Sequence, residues 1–163
     1  MTTSSINLLL LAGSRLSPVA LRDGIPPLLA LGATIELASR RKLETDVSEW
    51  PIKAYQIRPR VQDPGPKLSP SWVQSVWRGR VVRRLARRKD ATVATSMLAL
   101  RDPDVVNALW TADIVVALDT AAVYTLWKVA QERSDGDFVF GLTEALARTR
   151  RLAGGRAVES ERS

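Results

Sequence analysis

Asp119 is the residue of this chain most clearly placed to do chemistry. It closes the stretch Thr111-Ala-Asp-Ile-Val-Val-Ala-Leu-Asp-Thr120, whose middle, Ile114 to Leu118, is an unbroken apolar run. A run of that length between turn signals reads as a strand buried on both faces, the kind found in parallel sheets. Ligands of open α/β sheets sit outside the carboxyl ends of the strands, so Asp119 and Thr120 fall where a base or a ribose ligand would be. The same carboxylate can instead cap the helix that Thr120 opens, and the two roles are compatible. A second candidate is Gly13-Ser14-Arg15, directly after the apolar stretch Ile6 to Ala12. Backbone N–H groups in a strand-to-helix turn can hold a phosphate, and Arg15 would add charge. Only one glycine is present there, so neither the dinucleotide fingerprint nor a P-loop is formed. A turn glycine followed by a solvated arginine explains the same residues.

The third cluster is basic. Between Asp63 and Asp90 there is no acidic residue. Ser71 to Lys89 has helical spacing, with Trp72, Val73, Val76 and Trp77 forming one stripe. Past Gly79 that stripe is continued by Arg80, Arg83, Arg84, Arg87 and Arg88, while the apolar residues move to the other side. One straight helix cannot bury both sets on one surface, so Gly79 marks a kink or the tryptophans lie beside the arginines. Tryptophan beside arginine suits an anionic membrane surface, and equally suits stacking on single-stranded bases. A solvated helix face over buried tryptophans is the plainer account.

Composition narrows the chemistry. The chain has 163 residues, a net charge of +7, and neither cysteine nor histidine. Cysteine nucleophiles, Ser–His–Asp triads and zinc sites built on Cys or His are therefore excluded. Acid–base work falls to Asp, Glu, Lys, Tyr or a substrate group. No metal or cofactor is expected. The positive charge favours phosphate-bearing partners. No apolar run approaches the roughly 20 residues of a membrane span. Ile6 to Ala12 is preceded by Thr and Ser, so a signal peptide is not expected, and the absence of cysteine is compatible with a reducing cytoplasm.

These residues need elements to position them. Ile6–Ala12 and Ala33–Ala38 read as buried strands. Ser17-Pro18 starts a helix between them, and Gly32 ends it. Asp23-Gly24 and Pro26-Pro27 predict a break within that helix. Ile52–Ile57 alternates like a strand near an edge, and Arg58 to Pro70 is proline-rich loop. Thr92 to Leu100 fits a strand or a helix. Asp102-Pro103 opens a helix to about Trp110, and a second, apolar around most of its circumference, follows Asp119. The spacing then predicts a turn at Asp135–Asp137 and a helix over Phe138–Leu152 stopped by Gly154-Gly155. The whole reads as one Rossmann-like α/β domain over residues 1–155. It has a mainly parallel sheet of about four or five strands, helices on both faces, and a frayed tail at 156–163.

Ile6-Asn-Leu-Leu-Leu-Leu-Ala-Gly13 and Leu28-Leu-Ala-Leu-Gly-Ala-Thr-Ile-Glu-Leu-Ala-Ser39 resemble the first βαβ unit of GT-B-type glycosyltransferases. Ala112-Asp-Ile-Val-Val-Ala-Leu-Asp119 is similar to a later strand of the same N-terminal half. The matching pieces cover about a quarter of the chain and are patterns of hydrophobicity and turns. The resemblance implies an acceptor-side half without the facing half that holds the sugar nucleotide. Such a chain would act with a separate partner subunit near the inner membrane face, and would be inactive alone. A non-catalytic Rossmann-like module for a nucleotide or a protein is the alternative. A nucleic-acid-binding protein is a further one, although no helix-turn-helix, zinc-finger or RNP signature supports it.

Overall fold

The computed structural model describes residues 5–14, 16–40, 47, 49–57, 92–93 and 95–160. The elements in chain order are β1 (Ile6–Ala12), α1 (Pro18–Ala30), β2 (Ala33–Ser39), β3 (Lys53–Gln56), α2 (Pro103–Thr111), β4 (Ile114–Ala117), α3 (Thr120–Glu132), β5 (Asp137–Phe140) and α4 (Leu142–Ser160). Residues 95–99 form a further helical segment ahead of α2. The described strands form one five-stranded sheet in the order β3-β2-β1-β4-β5. Every pairing is parallel, with Leu8 opposite both Ile35 and Ile114, and Val115 opposite Phe138. The strand order reverses direction at β1, whose neighbours are β2 on one side and β4 on the other. This is a single Rossmann-like α/β domain.

The two-residue period of the strands divides the core. Leu9, Leu11, Val115 and Ala117 pack with Val105, Leu109, Leu126 and Val129 of α2 and α3. Leu8, Leu10, Ile35, Leu37, Ile114 and Val116 pack with Leu21, Ile25, Leu28 and Ala145 of α1 and α4. A fully buried aliphatic side chain stabilises by roughly 1.5–3 kcal/mol, so runs such as Leu8–Leu11, buried on both faces, account for the central strands.

α1 is continuous through Pro26 and Pro27, without the break expected at Asp23-Gly24 and the prolines. Leu21, Ile25 and Leu28 lie at helical spacing and are buried, which holds the segment on the sheet. Each proline deprives the carbonyl four residues earlier of its donor. Those carbonyls belong to Arg22 and Asp23, both exposed, where water can bind them. Gly32 sits one residue past the cap with φ 74°, the left-handed conformation that glycine adopts freely and that ends helices. On the other side α1 meets α4 closely: a Cβ built on Gly24 would lie 2.5 Å from Leu142 Cδ1.

Residues 138–140 are strand, not the start of a helix. Phe138 packs into one core and Val139 into the other. A helix cannot send adjacent side chains to opposite sides of a sheet, so β5 satisfies both where the expected helix would satisfy one. α4 begins after Gly141 and runs through Gly154 and Gly155 to Ser160. Neither of those glycines takes a positive φ, so neither acts as the expected helix stop. α3 is buried on one side only: Ala121, Ala122, Thr125, Leu126 and Val129 face the sheet. Val123 and Trp127 are 41% and 54% exposed, so a helix apolar around most of its circumference, and therefore expected to be well buried, keeps an open outer side. A helix lying on one sheet face has an outer side whatever its composition, and here Trp127 stacks on Tyr124 instead.

Candidate functional site at the carboxyl edge of the sheet

The reversal of strand order places the ends of β1 and β4 side by side, and the loops leaving them diverge to opposite faces. Gly13, Ser14, Asp119 and Thr120, far apart in sequence, meet here. Asp119 Oδ2 accepts three hydrogen bonds, from Gly13 N at 3.0 Å, Ser14 N at 2.7 Å and Ser14 Oγ at 2.8 Å. Its other oxygen accepts from Ala122 N at 2.9 Å, so the residue caps α3 while clasping the β1 turn. Thr120 is exposed as the first residue of α3. The capping role legible in the sequence is present. The clasp between loops was not legible, because it depends on β1 and β4 being neighbours.

Gly13 is pressed against its surroundings. A Cβ at that position would lie 2.6 Å from Ala121 Cβ and 2.8 Å from Thr95 Cγ2. Thr95 also accepts from Arg40 Nη1 at 3.3 Å, which ties the end of β2 to the helical segment 95–99. An aspartate marks the amino end of β4 as well. Asp113 Oδ2 accepts from Asn7 N at 2.8 Å, and Asp113 N donates to Asn7 O at 2.8 Å. Both ends of β4 are thus fastened to β1 by carboxylates, each to a backbone donor.

On the α1/α4 side the same edge opens into a groove of about 600 Å³. Leu16, Leu21, Leu118, Leu142 and Leu146 give it apolar walls, and Ser17, Asp23 and Thr143 bring polar groups to it. None of these was singled out as a site residue in the sequence, where Ser17 read as a helix start, Asp23 as a break signal and Leu118 as the end of a strand. Their convergence needs α1 beside α4 and β4 beside β5, and no local pattern announces it. Arg133 was also missed: its buried guanidinium donates to Leu109 O at 2.7 Å and to Asp135 Oδ1 at 2.9 Å. It caps the last turn of α2 and holds the Asp135 carboxyl below the usual carboxylate range. That arrangement is structural. On the opposite half of the sheet Tyr55 donates to Glu36 Oε2 at 3.0 Å, and Lys53 Nζ lies 4.7 Å from the centre of its ring.

Arg15, Trp72, Trp77, Arg80, Arg83, Arg84, Arg87 and Arg88 lie outside the described residues. Among the described residues no group of three or more Asp, Glu, Cys or His is arranged to hold a metal ion, and no helix is long and apolar enough to cross a membrane. Fold and edge together define the class as a single Rossmann-like domain with a groove beside its topological switch point. No family model matches the chain, and no curated protein or solved structure matches it either.

Proposed function

We propose that this chain is the acceptor-side half of a GT-B-like glycosyltransferase, binding a small organic acceptor in the groove between α1 and α4 and completed by a partner subunit. The groove carries the reading. It lies at the carboxyl edge, its volume falls within the roughly 300–1,000 Å³ of small-ligand pockets, and it combines apolar walls with a few polar groups. Asp23 and Thr143 offer a carboxylate and a hydroxyl suited to a substrate hydroxyl. Asp119 stands at the same edge, where its carboxylate accepts four hydrogen bonds from the described residues. The arginines from Arg80 to Arg88, unbalanced by acid, support work at an anionic membrane face.

A thermal-shift panel tests this. Neutral glycosides and prenyl alcohols are expected to raise the melting temperature, and nucleotide sugars are not. Ala20→Trp, which fills the groove, should abolish the shift. Purified protein should transfer no label from nucleotide sugars on its own. A response to nucleotides alone would favour the non-catalytic nucleotide-binding module. Transfer by homogeneous protein that persists through repurification would overturn the need for a partner.

A further inference from the structure

The sheet has two lateral edges, and they are not alike. β3 follows Pro51, begins with the exposed Lys53 and ends with the exposed Gln56, and charge and proline are what discourage an edge from pairing. β5 is Asp137-Phe-Val-Phe140, and it carries both phenylalanines of the chain. Asp137 N donates to Asp113 O and Gly141 N to Ala117 O, so the odd-numbered residues turn their backbone groups to β4. By alternation the N–H and C=O of Phe138 and Phe140 point away from it. Among the described residues no strand lies beyond β5. We infer that β5 is a dimerisation edge: it pairs antiparallel with β5 of a second copy about a two-fold axis at Val139, so that one sheet runs through both protomers.

The register follows from the residues. An axis at Val139 sets Phe138 of each copy opposite Phe140 of the other. These are the residues whose backbone groups face outward, so each such pair exchanges an N–H···O bond in both directions. An axis at either phenylalanine would set the other against a residue outside the strand. The side chains agree. Phe138 packs into the α2/α3 core, and Phe140, on the same face by the two-residue period, is 57% exposed. Pairing lays each Phe140 against Phe138 of the other copy and continues that core across the axis, and aromatic side chains stabilise such opposed positions. Asp137 falls opposite Gly141, which has no side chain to crowd it. The same four residues supply both halves of every match, which singles out a second copy over an unrelated extended peptide. The inference does not depend on what the α1/α4 groove holds.

Sedimentation equilibrium of the full chain over a concentration series tests this. The wild type is expected to show a monomer–dimer equilibrium. Each copy carries a net charge of +7, so added salt should strengthen association by screening the repulsion. Phe140→Lys sets a charge on the edge and should leave a monomer with an unchanged circular dichroism spectrum. Phe140→Pro removes an outward N–H and no bond to β4, and should do the same. The register has its own readout. The chain has no cysteine, and Val139→Cys would bring a thiol to its symmetry mate across a non-hydrogen-bonded pair. Cα atoms in such a pair lie about 4.5 Å apart, within the roughly 4.4–6.8 Å that a disulfide spans. Mild oxidation should cross-link Val139→Cys rapidly, and Val19→Cys, exposed on α1, only slowly. A wild type that stays monomeric throughout, even one that binds an extended peptide, would overturn the inference. So would a dimer that survives both Phe140 variants, or one in which Val139→Cys cross-links no faster than Val19→Cys.

Discussion

Gly13→Ala is expected to destabilise the fold by about 1–3 kcal/mol, the usual cost of overpacking, because the new methyl would meet Ala121 and Thr95 well inside contact distance. Urea denaturation measures this, and an unchanged midpoint would mean that α3 moves freely away from the turn. Tyr55 gives a pH test at the same scale. Burial raises its phenol above the ordinary value of 10.0; the hydrogen bond from Lys53 opposes this, and the Glu36 carboxylate reinforces it. Below pH 10 the phenol is protonated in both folded and unfolded chains. Above it the unfolded chain ionises first, so the stability is present below that pH and is lost as pH rises through the higher folded value. Phenolate absorbance of the wild type minus that of Tyr55→Phe should show a midpoint above 10, and Glu36→Gln should move it down. At this scale the sequence was partly legible. Asp119 as a cap followed from its place before Thr120, but its three bonds to Gly13 and Ser14 join residues about a hundred positions apart.

The elements show where local signals were overruled. In α1 the prolines argued for a break, and the burial of Leu21, Ile25 and Leu28 outweighed them. At β5 the apolar spacing from Phe138 suited a helix as well as a strand, and only the neighbouring β4 decided between them. Short apolar runs carry that ambiguity wherever a sheet edge is available. The end of α4 offers a clean measurement. Gly154 and Gly155 are exposed within the helix, and a Cβ on either meets nothing within 4 Å. Replacing each with alanine should stabilise by about 0.5–1 kcal/mol, with the larger helical signal in circular dichroism. A loss of stability in Gly154→Ala would show that these glycines serve a contact with another chain.

For the molecule as a whole, alternating apolar strands and helical periods were enough to indicate a parallel sheet with helices on both faces, and the sheet order was not. The groove between α1 and α4 is a product of that order, which is why its residues were missed. The positive charge carries its own prediction. The protein should sediment with anionic vesicles and not with neutral ones, and raised salt should release it, since screening acts over roughly 8 Å at physiological ionic strength. Replacing Arg80, Arg83, Arg84 and Arg87 with serine should abolish binding and leave the melting temperature nearly unchanged. Equal sedimentation of the quadruple variant would remove this stretch from any account of membrane contact.

The central position of β1 has a consequence for synthesis on the ribosome. Its first neighbour, β2, emerges after only a short helix, but its second, β4, begins at residue 114. At roughly 5–20 residues per second, the open side of β1 waits on the order of 5–20 s for its partner. During that interval the nascent chain presents the unpaired edge of Leu8-Leu9-Leu10-Leu11, four leucines that are fully buried in the finished sheet. An edge of that composition recruits other strands. Translation arrested before residue 114 should therefore leave chains that aggregate or are held by chaperones, whereas arrest after residue 140 should leave chains able to close the sheet.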